Sequence, residues 1–163
     1  MGVNLIVIVE NLKGLNQEEV NEALGVEVFE HKGKREVYPN WELFEWEGKS
    51  YASWTFTPRT FDGLYDIFTY HLDKVDPFDK VDEDTRKRWE SLRKYLAKVR
   101  RLFGNGKVYI GNDFIYFRTP SEAKAFGEEF SLPLEVPEEL LEEPNLSKYP
   151  ELRYVKELEN LTW

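Results

Sequence analysis

Residues 3–9, VNLIVIV, are apolar almost throughout and barely alternate, a pattern that predicts a strand buried on both faces. NQEEVNEALG (16–25) reads as a short helix, with Asn16 as N-cap, glutamates in the first turn and Gly25 as its stop. VEVFEHKGKREVY (26–38) gives two extended pieces around Gly33. WELFEWEGKSYASWTF (41–56) alternates strongly and predicts a hairpin turning at Gly48-Lys49, with Glu47 opposite Ser50 and Trp46 opposite Tyr51. Trp41, Leu43, Ala52, Trp54 and Phe56 then share one face. Phe44, Trp46 and Tyr51 share the other with Glu42, Ser53 and Thr55.

At Thr57-Pro58 the pattern turns helical, with Phe61, Leu64, Tyr65, Phe68 and Leu72 as the apolar stripe. A longer helix, 83–103, carries Trp89, Leu92, Leu96, Val99 and Phe103 at spacings of three and four, and stops at Gly104-Asn105-Gly106. Residues 107–118 predict a second hairpin turning at Gly111-Asn112, followed by the capping box Thr119-Pro120-Ser121-Glu122. Hairpin, Thr-Pro and helix thus occur twice, at 41–72 and 107–130. An internal duplication is one explanation, the general use of Thr-Pro to begin helices the other. Prolines at 133, 137, 144 and 150 break up the C-terminal part, which closes on an amphipathic stretch carrying Leu152, Val155 and Leu158.

Hairpin strands together with amphipathic helices define an α+β fold: an antiparallel sheet built from β-hairpins with packed helices, in a single compact domain with a proline-punctuated C-terminal tail. The core is expected over 1–132, with 133–163 packing on it or on a partner subunit.

Composition narrows the class. The 163 residues, 41% hydrophobic and 33% charged, suit a soluble globular protein rather than a disordered one. The absence of cysteine removes disulfides, thiol nucleophiles and Cys-ligated metal centres. With the abundance of Glu and Lys it suggests a thermophilic source. The opening apolar run is too short for a signal peptide and no stretch has the length of a membrane span, so a cytoplasmic location without membrane contact is expected. Net charge is −9 and unevenly spread, at −10 over 1–84, +8 over 85–107 and −7 over 108–163.

Candidate chemistry is sparse. Asp73, Asp76, Asp79, Asp82 and Asp84 fail the EF-hand spacing in either frame and read as a helix–helix corner, where Pro77 ends one helix and carboxylates open the next. Asp62 and Asp66 lie one helical turn apart with Asp73 on the same face, a weak metal or hydrolase candidate that His71 could join as acid–base. The second histidine, His31, sits at a turn. No nucleophile elbow, phosphate loop or dinucleotide fingerprint occurs, and no cofactor is expected.

Two surfaces remain. Lys87, Lys94, Lys98 and Arg101 gather opposite the apolar stripe of the 83–103 helix and could neutralise nucleic-acid phosphates, unless they pair with acidic neighbours such as EVPEELLEE (135–143). Phe44, Trp46 and Tyr51, with Tyr109, Phe114 and Tyr116 of the second hairpin, form an aromatic platform that is either exposed or covered by helices. The leading expectation is a non-catalytic interaction module whose partner is another protein or its own copy. Nucleic-acid binding is second and a metal-assisted hydrolase or nuclease third.

Overall fold

Strand β1, Leu5–Glu10, lies at the centre of the sheet and is buried at every position, which accounts for its lack of alternation. The computed structural model describes residues 4–24, 27–31, 34–38, 41–56, 83–136 and 138–141. After β1 come helix α1 (Gln17–Leu24), strands β2 (Glu27–His31), β3 (Lys34–Tyr38), β4 (Glu42–Trp46) and β5 (Lys49–Phe56), and helix α2 (Glu83–Phe103). Strand β6 (Val108–Asn112), helix α3 (Pro120–Ala125), strand β7 (Leu134–Glu135) and a 3-10 turn (Glu138–Leu141) follow. The main sheet has the order β4-β5-β1-β6-β7, antiparallel at each junction, and β2 pairs with β3 in a separate antiparallel ribbon. The fold is α+β, with helices packed on an antiparallel sheet.

Local chemistry sets the element ends. Asn16 caps α1 by accepting from the Glu19 N–H at 2.9 Å, while Glu19 accepts from the Asn16 N–H at 3.1 Å, a reciprocal box. Asn11, buried at the end of β1, accepts from the Leu15 N–H and donates to the Leu15 carbonyl, fixing the turn into α1. At the end of α2 the Asn105 N–H closes on the Arg100 carbonyl, and Gly104 adopts φ +107, the left-handed stop expected of the Gly-Asn-Gly sequence.

Leu92, Tyr95, Leu96, Val99 and Phe103 of α2 are buried against one sheet face, together with Leu5, Val7, Val9, Ala52, Trp54, Val108 and Ile110. Trp41 lies among them, donating from Nε1 to the Tyr95 hydroxyl at 3.1 Å. Val136 and Leu141 complete this core, so part of the proline-punctuated segment belongs to it.

Two expectations need correction. The first hairpin turns at Glu47-Gly48, both with positive φ, so Trp46 faces Lys49 and Phe44 faces Tyr51. This is a type I′ geometry, which matches strand twist. It also sets the Phe44 and Tyr51 rings in a stack at 5.4 Å. Moving a two-residue turn by one position leaves each residue on its original face, so the predicted partition survives. The second hairpin does not exist. Gly111-Asn112 is the end of β6, which pairs with β1 and β7 rather than with the residues that follow it. The Asn112 side chain accepts from the Phe114 and Ile115 N–H groups and its carbonyl from the Tyr116 N–H, folding 112–116 into a tight turn. The duplicated hairpin unit therefore lacks its second copy. The predicted 57–72 helix, the 73–82 corner and the closing amphipathic stretch lie outside the described residues.

Candidate functional site

The sheet face opposite α2 collects the aromatic side chains. Antiparallel register aligns Phe44 with Tyr51 and Glu10, and Glu42 with Ser53, Ile8 and Tyr109. Ile6, Ile8 and Tyr51 are buried there, and Phe44, Trp46, Tyr109, Tyr116, Phe130 and Leu132 are half-buried around them. Five of the six platform residues thus meet on one surface. The sixth, Phe114, stands in solvent at the tip of the 112–116 turn, because that turn breaks the alternation on which its assignment rested.

The cover of this face is residues 113–133, a strap that leaves the end of β6 and returns to its side. Its ends meet at Gly111, where an added Cβ would lie 2.7 Å from both Pro133 Cβ and a ring carbon of Tyr116. From there Arg118 reaches strand β4 and pairs with Glu42 at 2.6 Å. Thr119 caps α3 through the Glu122 N–H, while the Glu122 carboxylate accepts from Arg118 N–H, one residue earlier than in the usual box. Gly127, with φ +72, ends α3 in a Schellman turn closed by the Glu128 N–H on the Ala123 carbonyl. On the way back Phe130 sets its ring edge-on between Phe44 and Trp46, 5.3 Å from each. Phe130 and Leu132 escaped the sequence reading because 128–133 shows no period.

Glu10 is the polar centre of the aromatic face. Its carboxylate accepts from the Lys107 N–H at 2.6 Å and lies 3.8 Å from the Lys49 ammonium. Burial, followed by the charge of Glu10, pushes the Tyr109 hydroxyl up to about 12 and raises that of Tyr51. The arrangement holds two neutral phenols beside a carboxylate and offers no activated nucleophile. The Ser53 hydroxyl, buried on this face, has no hydrogen-bond partner among the described residues.

The basic stretch is engaged in part. Arg100 caps the loop after α2 through the Gly106 and Asn105 carbonyls and pairs with Glu138 at 3.2 Å; Lys107 pairs with Glu135 at 3.3 Å. Both acids belong to the 135–143 segment singled out as a source of partners. Lys94 and Arg101 also have partners, Lys98 is exposed, and the Lys87 side chain lies outside the described residues. So do Asp62, Asp66 and His71. Among the described residues no group of three His, Cys, Asp or Glu could hold a metal ion, and no helix is long and apolar enough to cross a membrane. Compared with known proteins, the chain matches no family model, no curated protein and no solved structure.

Proposed function

We propose that the chain is a non-catalytic protein-interaction module that meets a partner protein, or its own copy, through the outer side of the strap. The observation that supports this is the exposure of Phe114 (82%), Phe126 (71%) and Ile115 (60%) on a segment whose backbone is already fixed by the Asn112 and Schellman turns. Apolar anchors on ordered backbone lose little entropy when they bind, and aromatic anchors dominate interface energetics. The half-covered rims of Phe44 and Trp46 add apolar area. Nucleic-acid binding carries less weight, since two of its four candidate cations, Lys94 and Arg101, have partners and the neighbouring Arg100 and Lys107 are engaged by Glu138 and Glu135. A hydrolase would rest on Asp62, Asp66 and His71, outside the described residues.

Light scattering over a concentration series tests the self-association form. The expected result is a mass that climbs with concentration and returns to one chain in the double variant Phe114→Asp, Phe126→Asp. A mass of one chain at every concentration, the same in the native chain and the double variant, counts against the self-association form.

A further inference from the structure

Among the described residues the outer edge of β4 is half closed and half open. Trp46 and Lys49 flank a two-residue turn and so exchange the ladder hydrogen bonds, which turns the peptide groups of Leu43 and Glu45 away from β5. Ser50, opposite Glu45, accordingly gives its carbonyl to the Asn11 N–H on its other side, at 2.9 Å. Leu43 N–H donates to Gln17 Oε1 at 3.1 Å, and Gln17 Nε2 donates to the Trp41 carbonyl at 2.6 Å. Bonding to the carbonyl before Glu42 and the N–H after it is what one residue of a neighbouring parallel strand does. The side-chain amide of the chain's only glutamine therefore stands in for one strand residue. Beyond it the Leu43 carbonyl and the Glu45 N–H have no partner among the described residues. These are the two groups that the next residue but one of a parallel strand would take.

Charge selects the occupant. Glu45 and Glu47 are exposed and form no ion pair among the described residues. A second copy laid edge to edge would bring the same carboxylates together, which opposes pairing. We propose that the β4 edge beyond Gln17 receives an extended, parallel-running segment of a partner protein that alternates apolar and basic residues. Its apolar side chains lie beside Phe44 and Trp46, on the aromatic face, and its basic ones beside Glu45 and Glu47. This surface shares the rims of Phe44 and Trp46 with the one proposed above but does not depend on Phe114, Ile115 or Phe126 of the strap.

The probe is a labelled synthetic hexapeptide of alternating leucine and lysine, titrated against the full chain by fluorescence anisotropy at moderate salt. In a parallel strand the leucine N–H groups point at β4 and the lysine N–H groups away. Backbone N-methylation of the leucines is expected to weaken binding at least about tenfold, equivalent to about 1.4 kcal/mol, and methylation of the lysines to leave it unchanged. The exposed-site variant Glu45→Lys should weaken the unmodified peptide comparably. Equal binding of both methylated peptides, loss confined to lysine methylation, or no binding of the unmodified peptide overturns the proposal.

Discussion

Tyr109 shows how one residue reports on its surroundings. Its hydroxyl is pushed up to about 12 by burial first and the Glu10 carboxylate second. An unfolded tyrosine ionises near pH 10, so between pH 10 and 12 the unfolded chain releases a proton that the folded chain keeps. The folded pKa is the raised one, so the stabilisation is fully present below pH 10 and is lost as pH climbs through the folded value. Tyr51, shifted in the same direction, adds to the slope. Urea midpoints measured from pH 8 to 12 are expected to fall more steeply for the native chain than for Tyr109→Phe, with the two coinciding below pH 10. Parallel curves throughout would mean that the Tyr109 hydroxyl is not buried on this face. Glu47, in contrast, sits at φ +49 in a turn that asparagine or glycine usually fills, a local cost offset by the Phe44–Tyr51 stack that its turn sets in register.

At the scale of elements, legibility followed periodicity. The Asn16-capped helix, the stripe of α2 and the two faces of the first hairpin could be read because burial there repeats every two or 3.6 residues, and the central strand because its short apolar run does not alternate. The partners of β6 could not. They lie in β1, about a hundred residues earlier, and in β7, across a strap with no period of its own. Gly111 suggested a turn to the reader of sequence, but it lies in a strand and its bareness answers crowding. A methyl group there meets Pro133 and Tyr116 at 2.7 Å. Gly111→Ala is therefore expected to destabilise by about 1–3 kcal/mol, the usual cost of overpacking, and to lower the melting temperature in calorimetry. A neutral result would show that the strap ends do not close on β6. The candidate site was half legible for the same reason. Alternation grouped Phe44, Trp46 and Tyr51 on one hairpin and Tyr109 and Tyr116 on a predicted second one, and the pairing of β6 with β1 is what brings the two groups onto one face. Gln17 at the β4 edge, in contrast, left no pattern beyond being the sole glutamine.

For the whole molecule, the two faces of the sheet are covered by different means. Helix α2 seals one with a continuous apolar stripe, and the strap covers the other. Between Phe117 and Leu132 the strap makes no backbone–backbone hydrogen bond to a strand among the described residues. It is held by Phe130, Leu132 and the Arg118–Glu42 pair. An exposed ion pair contributes about 0–1 kcal/mol, so the aromatic contacts carry most of the attachment. Such a unit opens at a lower free energy than the core beneath it. In native-state hydrogen exchange, the Ala123, Phe126 and Glu128 amides, bonded only within the strap, are expected to exchange well before the β1 amides. Removing the Phe130 ring forfeits two edge-to-face contacts worth about 0.5–1.5 kcal/mol each together with the area it buries. Phe130→Ala should therefore speed strap exchange by about tenfold to a hundredfold, with the β1 amides shifted far less. If strap and β1 amides accelerate together, strap and sheet open as one unit, and the outer surface proposed for partner binding rests on the full stability of the core.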